Sequence, residues 1–113
     1  AGSADPYQRR GALYVLGTCA EGCSEYFTRE LDGSLPWLVQ GLADPDDRVR
    51  AVACWALTQF VEFLQPEIAE HYEELMPGVF RALEHPSMEV LRPACHALEE
   101  MCEMLEERVA PFL

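Results

Sequence analysis

The chain has 113 residues, half of them hydrophobic, which is enough for one domain and excludes an intrinsically disordered segment. Twenty acids stand against eight basic residues, all arginine, giving a formal net charge of −12. That balance disfavours nucleic-acid binding, which needs a cationic face, and fits either a basic partner or a well-solvated helical surface. No apolar run approaches the ~18 residues of a membrane helix, and no signal-peptide pattern opens the chain.

In chain order, apolar residues at helical spacing predict a first helix near 7–22. "ELDGS" (Glu30 to Ser34) follows, where Gly33 costs about 1 kcal/mol against Ala and is expected to loosen the start of a helix near 34–43. That helix carries Leu35, Leu38 and Leu42 on one face, with Leu31 ahead of it. "ADPDD" (Ala43 to Asp47) is a short turn rich in capping residues, leading into a helix near 47–64. Ala53, Ala56, Leu57, Phe60 and Leu64 form its apolar stripe, and Trp55 stands off it. A helix near 67–83, a second turn at "EHPS" (Glu84 to Ser87) and a helix near 88–106 complete the series. Pro93 lacks a backbone donor and is expected to delay or kink the last helix. Strand patterns are absent.

Sliding the chain against itself gives a register of 41 residues. Val49, Ala53, Cys54, Ala56 and Leu57 fall on Val90, Ala94, Cys95, Ala97 and Leu98, while Pro36 falls on Pro77 and Leu42 on Leu83. One step back, Ala53 falls on Ala12 and Leu57 on Leu16. Two helices per unit at this period are the signature of an all-α solenoid of HEAT or armadillo hairpins. Each hairpin buries its apolar face only by stacking on its neighbours. About two and a half units fall short of the ~3 expected for independent stability. The terminal "APFL" is apolar rather than a polar cap, so the chain is expected to be a section of a longer solenoid.

Five cysteines, Cys19, Cys23, Cys54, Cys95 and Cys102, all lie on helical stretches. Cys19 and Cys23 are one turn apart, but no second pair completes a metal site and the three histidines are scattered. They are read as buried reduced thiols acting as small hydrophobes, in a cytosolic or nuclear setting. No metal or other cofactor is expected. No nucleophile–base motif or phosphate loop is present, and the carboxylates of "EIAEHYEEL" and "EEMCEMLEERV" read as solvated charge, so catalysis is not expected.

The stretch "LPWLVQGLADPDDRVRAVACWALTQF" has the HEAT pattern, with Pro36 in the first helix, Asp44 at the turn and Val49-Arg50 opening the second. Among HEAT proteins the chain resembles the importin-beta (karyopherin-beta) nuclear transport receptors. "LYVLGTCAEGC" followed by "VRAVACWAL" is similar to the transportin branch, and "GLADPDDRVR" with "ALTQFVEFLQPEIAEHYEELMP" to the importin-four branch. The resemblance implies a non-enzymatic receptor shuttling between cytoplasm and nucleus through the nuclear pores. It implies that the second helix of each hairpin lines a concave inner face that holds cargo and the GTPase Ran, with Ran-GTP releasing the cargo. Grooves between the outer helices would receive Phe-Gly nucleoporins. The alternative is a HEAT scaffold for protein assembly, such as a phosphatase regulatory subunit.

On such inner helices the register makes Tyr14, Trp55 and His96 equivalent, followed one turn later by Thr18, Gln59 and Glu100. These residues, with Glu62, form the candidate cargo face for basic protein cargo or its nuclear localisation signal, histones and ribosomal proteins among them. The aromatics would stack on arginine, each cation–π contact being worth about 0.5–2 kcal/mol, and the acids would supply charge-assisted bonds. The transportin branch carries a Trp in the matching segment that touches the import signal, but its basic residue one turn later is Gln59 here. The competing reading of Trp55 is packing against the neighbouring hairpin with a wet edge. Trp37 lies off its helix's leucine stripe, where inter-repeat packing is expected over a place at a Phe-Gly pocket.

Overall fold

The computed structural model describes residues 5–65, 67–85 and 87–109. The apolar "APFL" end lies outside the described residues. Six α-helices are present among those described: α1 (Pro6–Gly22), α2 (Ser24–Arg29), α3 (Leu31–Leu42), α4 (Asp47–Phe63), α5 (Tyr72–Leu83) and α6 (Met88–Val109). A 3-10 turn, Glu67–His71, precedes α5. The limits obey the 41-residue register: α1 shifted by 41 coincides with α4, and α3 shifted by 41 with α5.

The capping residues repeat as well. Asp5 accepts from the Tyr7 N–H, Asp46 from those of Arg48 and Val49, and Ser87 Oγ from that of Glu89. Each satisfies a donor that the first helical turn leaves orphaned. Pro93 does not delay α6, which starts at the position equivalent to Asp47. Gly33 does not delay α3 either. Leu31, almost fully buried, anchors the first turn, and the Glu30 carbonyl accepts from both Gly33 and Ser34. The short α2 was not expected; it is the register equivalent of the 3-10 turn.

Helices α1, α4 and α6 lie side by side with α4 in the middle, and α3 and α5 cover them as a second layer. The thinnest extent, 19 Å, is that of two helix layers. Between the layers the leucines of α3 (Leu35, Leu38, Leu42) meet Leu57, Phe60 and Leu64, all fully or almost fully buried. Of the five cysteines only Cys54 is buried; Cys23, Cys95 and Cys102 are exposed and all five are free. The reading of all of them as core thiols is therefore corrected, since the register put them on helices without saying which flank a neighbour covers. No helix among the described residues is long and apolar enough to cross a membrane.

Candidate functional site

The exposed face of the α1/α4/α6 layer carries every sequence-selected candidate. Tyr14 and Trp55 stack, with ring centroids 5.1 Å apart and planes 14° from parallel. Trp55 is half-buried because it lies over Gly17 of α1. A Cβ on Gly17 would stand 2.6 Å from Trp55 Cζ3 and 3.0 Å from Ala56 Cα, so only glycine lets α1 and α4 approach this closely here. Tyr14, 59% exposed, presents its ring to solvent. Trp55 is thus both a junction residue and part of an accessible aromatic surface.

His96 does not extend the stack. It is exposed and pairs within α6 with Glu100, Nε2 to Oε1 3.4 Å. The α4 position equivalent to Gly17 is Thr58, buried, with its hydroxyl donating to the Cys54 carbonyl at 3.1 Å. Thr58 leaves no glycine-sized recess for an aromatic at position 96 to enter. Thr18 is exposed and Gln59 half-buried, one turn beyond the stack, and Glu62 is exposed at the far end of α4. Glu21 of α1 stands in register with Glu62 and is also exposed. It was not singled out from sequence, although the register signals it.

Two polar links hold the turns that end α3 and α5. Arg9 of α1 donates through Nε to Asp44 Oδ2 at 2.7 Å and through Nη2 to Oδ1 at 3.1 Å. Asp44 also accepts the Asp46 N–H at 2.9 Å, and Arg50 Nε donates to its carbonyl at 2.7 Å. Burial tends to raise the Asp44 carboxyl pKa. The Arg9 hydrogen bond, the Asp46 N–H and the charges of Arg9 and Arg50 outweigh it and hold the group below its usual 3.8. The same hydrogen bond raises the Arg9 guanidinium. One unit later His85 takes the place of Asp44. Its Nδ1 accepts the Ser87 N–H at 3.1 Å, and its Nε2 stands 2.9 Å from Asp47 Oδ1. A backbone N–H only donates, so Nδ1 is the acceptor and Nε2 carries the proton.

Trp37 is 43% exposed, and its covered part shares a recess with Arg9 and Leu13 of α1 in the preceding unit. It stands where α5 has Gly78, whose missing Cβ leaves room for the Leu42 side chain. The tryptophan also rims an open groove of about 390 Å³ lined by Leu16, Tyr26, Phe27, Glu30, Gly33 and Ser34. Among the described residues no group of three or more His, Cys, Asp or Glu side chains is arranged to hold a metal ion.

A HEAT-like repeat model matches residues 6–60 and a HEAT repeats model matches residues 35–113. The class of protein is thereby the one the two-layer geometry describes, a HEAT α-solenoid. Importin-4 of Homo sapiens is 42% identical over 79 residues, covering 66% of this chain and 7% of that protein. Importin-4 of Mus musculus is 39% identical, covering 76% of this chain and 8% of its own length. Transportin-1 of Homo sapiens is 30% identical over 57% of this chain and 7% of its own length. The chain belongs to the HEAT-repeat importin-beta family, and it spans less than a tenth of the length of these relatives. No solved structure matches it.

Proposed function

We propose that this chain forms part of the cargo-holding inner face of a nuclear import receptor. The observation that carries the reading is the solvent-facing Tyr14–Trp55 stack, set one turn from Thr18 and Gln59 and two turns from Glu21 and Glu62. A flat aromatic surface beside carboxylates suits an arginine- or lysine-rich import signal, by stacking on one side and by charge-assisted bonding on the other. The net charge of −12 favours the encounter with basic cargo such as histones or ribosomal proteins. The similarity to importins and transportins supports this role, together with release by Ran-GTP and shuttling between cytoplasm and nucleus. The open groove that Trp37 rims suits a Phe-Gly nucleoporin segment through its aromatic and aliphatic lining. The role is one of binding rather than catalysis.

Titration with a basic import-signal peptide tests the reading, followed through the Trp55 indole N–H resonance. Saturable movement that weakens as salt is raised supports it. Trp55→Ala is expected to lower affinity about 5- to 30-fold, the range of one stacking contact of 1–2 kcal/mol. Unchanged affinity in that variant would remove the stack from the cargo site.

A further inference from the structure

The exposed face of the α1/α4/α6 layer changes character along its helices. On α1 it runs from Tyr7 and Arg10 through Tyr14 to Glu21, and on α4 from Arg48 through Trp55 to Glu62. The steps of three, four and seven residues keep each series on one helical face. On α6 the order is the same, from Arg92 through His96 to Glu100 and Glu103. An arginine thus stands near the N-terminal end of each of the three helices, beside the caps Asp5 and Asp46 and the first-turn acids Asp47 and Glu89. Glu21, Glu62, Glu100 and Glu103 stand about 20 Å away at 1.5 Å per residue. The arginines and the C-terminal acids oppose the helix macrodipole, whereas Asp5, Asp46, Asp47 and Glu89 follow it, so helix stability does not account for the arginines.

The arginines at this end are organised. Arg10 and Arg48 both lie against the ring of Tyr7, with Cζ 4.7 and 5.9 Å from its centroid. The carboxylate nearest Arg48 is Asp46, 3.8 Å away and already accepting two backbone N–H groups of α4. Among the ion pairs of the described residues none engages Arg10. Arg10, Arg48 and Tyr7 line one recess together with Pro6 and Asp46, so an oxyanion entering it would accept charge-assisted hydrogen bonds from the two guanidinium groups in competition with the Asp46 carboxylate.

We propose that the Tyr7–Arg10–Arg48 cluster binds an oxyanion, carboxylate or phosphoryl, borne by a side chain of the partner segment. The segment then lies across the layer in one direction, with its anionic residue at the N-termini of α1 and α4 and its basic residues toward Glu21 and Glu62. The direction rests on the cargo reading above; the oxyanion site rests on the cluster alone.

The test is a titration of the isotopically labelled 113-residue chain with three capped tripeptides, Gly-phosphoserine-Gly, Gly-Asp-Gly and Gly-Ser-Gly, followed through the arginine Nε–H resonances. Saturable movement of the Arg10 and Arg48 signals with a charged peptide and none with the serine peptide is expected. Movement with the phosphoserine peptide alone assigns a phosphoryl group, and movement with the aspartate peptide extends the site to carboxylates. The double variant R10Q/R48Q, with both changes at the surface and its amide spectrum checked for an unaltered fold, is expected to bind at least tenfold more weakly. No movement with either charged peptide, equal movement with the serine peptide, or undiminished binding by R10Q/R48Q overturns the proposal. The basic-peptide experiment reads the Trp55 indole instead, so either proposal can fail alone.

Discussion

The two junctions of the layer occupy equivalent register positions and are built differently. Between α1 and α4, Gly17 admits Trp55, Tyr14 stacks on it, and Arg9 grips Asp44 with two hydrogen bonds. Between α4 and α6, Thr58 replaces the glycine, His96 stays in solvent, and His85 replaces the aspartate. The direction of the polar link also reverses. At the first junction the preceding helix donates, through Arg9; at the second His85 donates and Asp47 of the preceding helix accepts. An imidazole reproduces the part of Asp44 that receives the turn N–H but has no capacity left for an arginine. Arg50, the register equivalent of Arg9, bonds instead to the Asp44 carbonyl. A repeat therefore conserves geometry more closely than chemistry, because backbone capping and apolar packing set the spacing while each junction fills its polar positions anew.

The largest test of this contrast is Gly17→Leu. A side chain there meets the α4 backbone at Ala56 as well as the Trp55 ring, so overpacking is expected to cost about 3 kcal/mol or more and to dismantle the stack. Urea unfolding together with the Tyr14 and Trp55 ring resonances reads both effects. At the second junction Thr58→Ala is expected to cost less, about 1–2 kcal/mol, since it removes a methyl and a hydroxyl already satisfied within its own helix.

The polar links separate next, by acid. The Asp44 pKa is lower in the folded chain than in the unfolded one, so its contribution is fully present above about 3.8 and is lost as pH falls through the folded value. Asp44→Asn is expected to flatten the acid limb of a stability-against-pH curve below pH 4; an unchanged limb would show that the Arg9 link carries no weight. His85→Ala leaves the Ser87 N–H without its acceptor and is expected to cost about 1 kcal/mol. Faster amide exchange should be confined to Ser87 and the first turn of α6. Smallest in energy is a chemical contrast. Burial pushes the Cys54 thiol pKa up to about 12, so iodoacetamide at pH 8 is expected to label Cys23, Cys95 and Cys102 well before Cys54.

Much of this architecture was legible from residue spacing. The offset that aligned Val49 with Val90 also places the caps Asp5, Asp46 and Ser87 and the limits of paired helices, because capping and periodicity are local properties. "SEYFTR" escaped because a helix of six residues is too short to show a period. Sequence leaves Trp37 between packing and exposure, because its surroundings come from α1 of the preceding unit and from α2.

For the candidate face, sequence determined which residues share it: Tyr14, Trp55 and His96 at one level, Gln59, Glu62 and Glu100 beyond. Helical periodicity and the repeat are enough for that, since both depend only on position along the chain. The tertiary structure alone decided that Tyr14 and Trp55 stack while His96 stands apart, and that Arg10 and Arg48 share one ring. The stack depends on how closely α1 and α4 approach, which the missing side chain of Gly17 permits, while the equivalent position on α4 carries the side chain of Thr58.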